Sequence, residues 1–197
     1  MKNKTGRELF SVTELYWILY HGIRTMKYMS RAKKNKELST EFIERIMLAV
    51  TEVNRCEMCS YAHTKMALEA GMSNEEIQKM LSGVITDIPA DQLPAVMFAQ
   101  HYADSRGKPS NESWNRVLEV YGLSKAQGIL GTIRVIMIGN ALGIPMGSFV
   151  NRFRGKPDKR SNIFYELSII IMGVLFIPIL IVHLVIFCIF RVPIINI

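Results

Sequence analysis

The spacing of apolar and capping residues through residues 37–150 predicts a series of helices. Apolar side chains recur at helical intervals, as at Ile43, Met47 and Val50. Ser, Asn, Gly and Pro residues stand where such helices would begin and end. No segment between turn residues alternates apolar and polar positions with a period of two, which a half-buried strand would show. The pattern therefore predicts an all-α body.

One capping pattern lies at the cysteine pair Cys56 and Cys59. Asn54 precedes Glu57 by three positions, the spacing of a capping box, and this predicts a helix that starts at Arg55. Gly71 is the expected end of that helix.

Two further helices are expected near the end of the body. Asn111 and Ser124 are the predicted N-caps. The second helix should stop near Ala141, because Gly143 and Pro145 follow it.

The end of the chain has a different pattern. Residues 167–190 contain no charged side chain, and 20 of these 24 residues are apolar. At about 1.5 Å per residue this helix would be roughly 36 Å long, slightly more than the hydrocarbon thickness of a bilayer. No amphipathic period is visible, which excludes a surface helix and leaves a buried core helix as the alternative. We therefore predict a single transmembrane anchor.

Two basic segments flank the body. Residues 151–166 hold five cations and two acids directly before the predicted anchor, and the positive-inside rule places such a flank in the cytoplasm. Residues 1–36 carry nine cations, including Lys2, Lys4 and Arg7, and no apolar stretch typical of a cleavable signal. Aromatic residues within 15–20 predict either contact with lipid headgroups or packing on the body.

Charge and cysteine content narrow the possible functions. The formal net charge is +7, although residues 37–150 hold nine cations and thirteen acids. Because the body is acidic and an anchor is predicted beside it, lipid headgroups rather than nucleic acid are the expected partner of the basic flanks. Three cysteines are too few for a secreted disulfide scaffold.

The candidate catalytic side chains are concentrated in residues 44–63. On a helix, Cys56, Cys59 and His63 fall within an arc of about 60° on one face. A helix N-terminus and a protonated imidazole both lower the pKa of a nearby thiol. On this argument alone Cys56 is the favoured nucleophile, because it is closer to the predicted helix end.

Three other kinds of site contain a Cys-x-x-Cys motif, and each requires further residues or structural elements. Ser60 stands where haem attachment needs a His, and a thioredoxin-type site would need strands. A structural zinc site needs four ligands; the two cysteines and His63 supply three, and Glu44 would be the fourth. Zinc binding and unreactive core thiols stay open, and Cys188 in the anchor is assigned to the latter.

The same segment resembles a known family. Its chemical residues have the spacing of the alkylhydroperoxidase D-like branch of the carboxymuconolactone decarboxylase family. The residues that carry this resemblance are Glu44, Asn54, Cys56, Cys59 and His63. Residues 71–77 resemble the start of the family's next helix, so that the resemblance covers about residues 37–150. It implies an all-helical subunit that assembles as trimers or hexamers and has peroxidase and disulfide-reductase activity.

The resemblance also implies a role for each residue. Cys59 would be the peroxidatic thiolate that passes through sulfenic acid, and Cys56 would be the resolving thiol that closes a disulfide with it. His63 and Glu44 would form the proton relay. The chain departs from the family at Met58, where alkylhydroperoxidases have a second His. Lactone decarboxylation is not implied, because the branch that performs it lacks the paired cysteines.

The sequence thus predicts an alkylhydroperoxidase D-like helical bundle. Its parts are residues 1–36, the body at 37–150, a basic linker at 151–166 and the anchor at 167–190. The predicted function is that of a membrane-anchored oxidoreductase, which reduces a hydroperoxide with electrons from a thiol or dithiol donor. Membrane lipid and further copies of the chain are expected partners; no cofactor, metal or nucleic acid is expected. The alternatives are a non-catalytic redox-sensing or zinc-binding module, and a structural oligomer that recruits partners to the membrane.

Overall fold

The computed structural model describes residues 8–193 and residue 195; Lys2, Lys4 and Arg7 of the basic N-terminal segment lie outside the described residues. Within this range the chain forms seven helices and no strand, which confirms the predicted all-α class. The helices are α1 (Val12–Lys34), α2 (Thr40–Asn54), α3 (Glu57–Glu69), α4 (Asn74–Leu81), α5 (Leu93–Asp104), α6 (Asn111–Arg152) and α7 (Ile163–Ile189).

Helix α2 is the centre of the bundle. Its N-cap is Ser39, whose hydroxyl accepts the N–H of Phe42 at 3.1 Å. Residues 42–51 are all buried, because α3, α4, α5 and α6 pack around this helix. Two ionisable residues lie within this buried stretch, and each has a polar partner: Arg45 binds Glu76 and Glu41, and Glu44 binds His63. Buried charges persist in proteins when they are paired in this way.

Helix α1 packs along α6 through glycines. A Cβ on Gly22 would lie 2.4 Å from Ile138 Cδ1, and one on Gly131 would lie 2.7 Å from the carbonyl oxygen of Thr25. These positions let the two helix backbones approach closely. Of the two alternatives for residues 15–20, the structure therefore shows packing on the body, although Trp17 is 46% exposed.

Helix α6 differs from its prediction at its C-terminal end. The expected break between two helices appears as a kink at Gly122, where φ is 68° and ψ is 167°, and the N-cap is Ser110 rather than Asn111. The expected stop near Ala141 is wrong, since the helix continues through Pro145 to Arg152. Apolar packing of this segment against the body outweighs the low helix propensity of its glycine and proline residues.

Helix α7 follows a short connection and packs back against α6 and α1. Glu166, in its first turn, is fully buried and accepts hydrogen bonds from Arg152 at 2.6 Å and Ser148 at 2.7 Å. Farther along, His183 Nδ1 and the Tyr16 hydroxyl lie 2.6 Å apart. The helix is thus attached to the body along one side.

The other side of α7 is apolar and exposed. The residues of this face include Val174, Ile177, Ile181 and Val185, each more than half exposed. By length and composition α6 and α7 could each cross a membrane, and the apolar windows of the two helices are 72% and 11% buried, respectively. α6 is therefore a core helix of the bundle, and α7 is the candidate membrane span.

Candidate active site

The site begins at the corner between α2 and α3. Asn54 is the last residue of α2, and Arg55 takes the left-handed conformation with φ 56° and ψ 50°. The predicted helix start at Arg55 is therefore wrong: α3 begins at Glu57, and its N-cap is Cys56. The physical reason lies in tertiary contacts, because the side chain of Asn54 is buried and donates its Nδ2–H to Asn140 Oδ1 at 2.9 Å. This contact holds the Asn54 side chain against α6, and Cys56 caps α3 instead.

This corner places both cysteines in the first turn of α3. Their sulfur atoms lie within bonding distance, as a disulfide, and their Cα atoms are 5.2 Å apart. Cys56 Sγ accepts the backbone N–H of Cys59 at 3.3 Å, so that a cysteine side chain performs the capping that Ser or Asp usually performs. A thiolate at this position would be stabilised by the free N–H groups and the dipole of α3.

A hydrogen-bonded His–Glu pair lies one turn farther along α3. His63 Nδ1 is 2.8 Å from Glu44 Oε2, and the carboxylate belongs to the buried face of α2. Glu44 is 5% exposed. A carboxylate accepts but does not donate, so the Nδ1–H of His63 is the donor and Nε2 is the nitrogen that can exchange a proton with a reactant.

Helix α6 closes the site over the sulfur atoms at Gly143. A Cβ at this position would lie 2.8 Å from Cys59 Sγ and 2.9 Å from Cys56 Sγ, closer than Cβ atoms approach other atoms in proteins. Any residue with a Cβ would fit here only if α6 or the cysteines moved. Gly143 is a residue of the site that the sequence pattern does not reveal, because a glycine followed closely by a proline predicts the end of a helix.

A groove of about 460 Å³ runs beside the cysteines, between the start of α3 and the C-terminal half of α6. Its walls include Met58, Tyr61, Gly143 and Gly147. Cys56 is fully buried and Cys59 is 7% exposed. Neither cysteine lines the groove, whereas Met58, the neighbour of Cys59 in the chain, does.

The connection between α6 and α7 forms another wall of the same groove. Arg160 binds Asp158 at 2.6 Å, and these hydrogen bonds lower the pKa of the Asp158 carboxyl. Asp158 donates its backbone N–H to Ser148 at 2.9 Å, and Arg160 reaches the carbonyl of Arg55 at 3.2 Å. The segment predicted as a linker is thus folded against the corner that holds the cysteines.

The structure brings Cys56, Cys59, His63 and Glu44 together at the contact of α2, α3 and α6. Among the residues that the structure describes, no group of three or more His, Cys, Asp or Glu side chains is arranged to hold a metal ion. Cys188 is a free, exposed cysteine on α7 and is not part of this cluster.

Comparison with protein families gives one match. Residues 21–103 match the model of the carboxymuconolactone decarboxylase family. The matched stretch begins within α1 and includes all four clustered residues. Comparison with curated proteins and with solved structures yields no match.

Proposed function

We propose that this chain, whose residues 21–103 match the model of the carboxymuconolactone decarboxylase family, is a membrane-bound thiol peroxidase or disulfide reductase. One observation carries the proposal: a cysteine pair at the N-terminus of α3 stands one turn from a His63–Glu44 pair. Paired thiols next to an oriented imidazole are the groups that peroxide reduction needs.

In the proposed reaction the reduced enzyme attacks a hydroperoxide. The Cys59 thiolate attacks the terminal oxygen of ROOH, so that an S–O bond forms while the O–O bond breaks; Cys59 becomes a sulfenic acid and alkoxide leaves. The Cys56 thiol then attacks the sulfenic sulfur, which forms the Cys56–Cys59 disulfide and releases water. An external thiol or dithiol reduces this disulfide by exchange and returns the enzyme to its dithiol form.

The role proposed for His63 is proton transfer. Alkoxide is a poor leaving group unless it receives a proton, and the thiol must lose one to attack. Because Glu44 holds Nδ1 of His63, Nε2 is the ring nitrogen that remains for moving that proton. Cys59, rather than Cys56, is assigned the attack because it is the less buried of the two and lies nearer to His63 along α3.

The test is peroxide consumption by the full chain in mild non-ionic detergent, with an organic hydroperoxide and dithiothreitol. Cys59→Ser should abolish turnover, and His63→Gln and Glu44→Gln should each lower it by about 10²-fold or more, the usual contribution of an acid–base group. Cys188→Ser is the matched control, because it removes a thiol outside the cluster and should leave the rate unchanged. Equal rates in wild type, Cys59→Ser and His63→Gln would contradict the mechanism.

The alternatives predict different results in the same preparation. A redox sensor would form the Cys56–Cys59 disulfide once per chain on mild oxidation, with a loss of two protons in peptide mass, and would show no sustained peroxide turnover. A zinc module would contain one metal per chain after purification under reducing conditions, lost in Cys56→Ser. A structural oligomer would keep its assembly and partners when both cysteines are replaced.

The membrane attachment is assigned to the exposed apolar face of α7. The predicted arrangement is a single span with the body on the cytoplasmic side, where the exposed cations Arg154, Lys156 and Lys159 would meet headgroups. Because α7 also packs along α1 and α6, a spanning α7 brings the uncharged stretch 135–150 of α6 close to the bilayer.

Two measurements test this attachment. Wild-type protein should stay with membranes after a carbonate wash, whereas Ile177→Lys together with Ile181→Lys should release it, at a cost of about 2.5–3.5 kcal/mol for each Lys at the centre of a span. Val120→Lys, at an exposed apolar position on the body, is the control and should stay bound. For sidedness, Lys159→Cys, at an exposed position before α7, in a Cys188→Ser background should be protected from an impermeant maleimide in intact cells and should react once the cells are permeabilised; reaction in intact cells would contradict the predicted sidedness.

A further inference from the structure

A second cavity lies between α1, the end of α5 and α6. Its volume is about 560 Å³, within the range of small-molecule sites. The walls include Trp17, Ile18, His21, Arg106, Arg134 and Met137. Neither cysteine lines this cavity, which makes it separate from the proposed active site.

Arg134 is the unusual residue in this wall. Its side chain is almost fully enclosed, since the residue is 3% exposed. Nε donates to the Tyr102 hydroxyl at 2.9 Å, but Nη1 is buried and has no hydrogen-bond partner among the described residues. Nor does any described carboxylate form an ion pair with it. The Tyr102 ring lies 5.8 Å from the guanidinium carbon, but a ring does not neutralise a buried cation, so an anion bound in the cavity would stabilise Arg134.

The other charges around the cavity do not neutralise Arg134. Glu14 is the one carboxylate in the wall, and both of its oxygens are bound by Arg106, at 2.5 and 2.7 Å. Lys108 adds another cation. Burial, with a smaller effect from the charges of Arg134 and Arg24, lowers the pKa of His21 to about 4, so this imidazole is neutral near pH 7. The wall therefore holds three cations and one carboxylate.

The remaining wall is apolar. Trp17 and Ile18 come from α1, and Met137 from the turn of α6 after Arg134. An apolar wall with one buried guanidinium fits an amphiphilic anion better than inorganic phosphate, which would leave the apolar surface without a partner. The planar fork of arginine also matches a carboxylate group.

We propose that this cavity binds a small organic carboxylate, with the carboxylate on Arg134 and an aliphatic or aromatic body against Trp17, Ile18 and Met137. The proposal does not depend on the peroxidase proposal, because no cysteine or His63 takes part. The carboxylate supplies the counter-charge that Arg134 lacks, and the apolar body is removed from water.

The test compares three ligands with the same six-carbon body in wild-type full chain: hexanoate, 1-hexanol and hexylamine, with ligand-observed NMR in non-ionic detergent as the measurement. Hexanoate should bind at least tenfold more tightly than either of the others. Equal binding of the three would show a merely apolar cavity and would overturn the proposal, as would tighter binding of the amine.

Substitutions of arginine test whether the carboxylate of the ligand binds at Arg134. Arg134→Met should weaken hexanoate binding at least tenfold and leave 1-hexanol binding unchanged, while Arg116→Met, the same change at an exposed arginine of α6, should have no effect on either. Unchanged hexanoate binding by Arg134→Met would place the anion elsewhere and refute the assignment. If Arg134→Met does not fold, the ligand ranking in wild type still decides, and Arg134→Lys, which keeps the charge without the fork, should bind hexanoate with intermediate affinity.

Discussion

Gly143→Ala is the substitution that most directly tests the geometry of the site. The added Cβ would lie 2.8 Å from Cys59 Sγ and 2.9 Å from Cys56 Sγ. Carbon atoms at an ordinary contact lie about 3.5–4.0 Å from their neighbours, and sulfur is no smaller than carbon, so one side must give way by about 0.7 Å or more. The sulfur atoms cannot simply rotate away, because they belong to a pair fixed at the N-cap of α3.

Two opposing effects determine how much Gly143→Ala changes the free energy of unfolding. Replacing a glycine in a helix interior with alanine stabilises the helix by about 1 kcal/mol. Overpacking a well-packed contact costs about 1–3 kcal/mol. Gly139→Ala, one turn earlier on α6, has the first effect alone, because its Cβ would meet only Ile136 Cδ1, at an ordinary 3.5 Å. The two variants should therefore differ by about 1–3 kcal/mol, the cost of overpacking.

The assay is thermal unfolding of the full chain in the same detergent. For a chain of this length 1 kcal/mol corresponds to about 2–4 °C in Tm, so Gly139→Ala should melt about 2–12 °C above Gly143→Ala. The Gly143→Ala variant should also consume peroxide more slowly, because α6 and α3 are pushed apart at the groove. If Gly143→Ala melts at or above Gly139→Ala, the close contact of α6 with the sulfur atoms does not exist in solution.

Three further predictions follow from other contacts. Hydrogen bonds from Arg106 lower the pKa of Glu14 from 4.5 to about 2, so this pair contributes stability above about pH 4.5 that is lost as the pH falls toward 2. Glu14→Gln should therefore flatten the decline of urea-unfolding stability in that range, and an unchanged slope would contradict the pairing. Ser73→Ala removes the acceptor of the Glu76 N–H, which lies 3.1 Å away, and should lower the free energy of unfolding by about 1 kcal/mol, whereas an unchanged Tm would show that the cap is not formed. Met58→His places an imidazole beside Cys59 in the groove and should raise the rate of peroxide consumption about tenfold; a rate no higher than that of wild type would show that the family's second His has no counterpart role here.

The all-α class and most helix positions were predictable from sequence because they depend on local spacing and caps. The kink at Gly122 is an example, since glycine tolerates the positive φ observed there. The helix start after Asn54 was not predictable. Its capping spacing is a local signal, but Asn140, 86 positions away, takes the side chain into the core. Tertiary contact outweighed the local pattern.

The same distinction separates the parts of the active site. The cysteines, His63 and Glu44 lie within twenty residues on two adjacent helices, so that spacing and family resemblance sufficed to single them out. Gly143 acts on the sulfur atoms across more than eighty residues of chain, and nothing in the local sequence distinguishes it from a helix-ending glycine. Likewise, nothing in the sequence distinguishes Arg134 from other arginines. It becomes notable only in the structure, where it is buried and no described carboxylate forms an ion pair with it.

The C-terminal half of α6 links the proposed active site to the apolar helix. Gly143 and Gly147 line the groove, and Ser148 and Arg152, in the next turns, hold Glu166 at the start of α7. Nine residues of helix span about 14 Å, so the groove and the beginning of α7 are neighbours. The contacts at Glu166 are buried and charged, and they fix the orientation of α7 relative to the groove. α7 is therefore not joined to the body by a flexible tether. A membrane that receives the apolar face of α7 therefore lies close to the groove, and a hydroperoxide that partitions into lipid would be concentrated near Cys59.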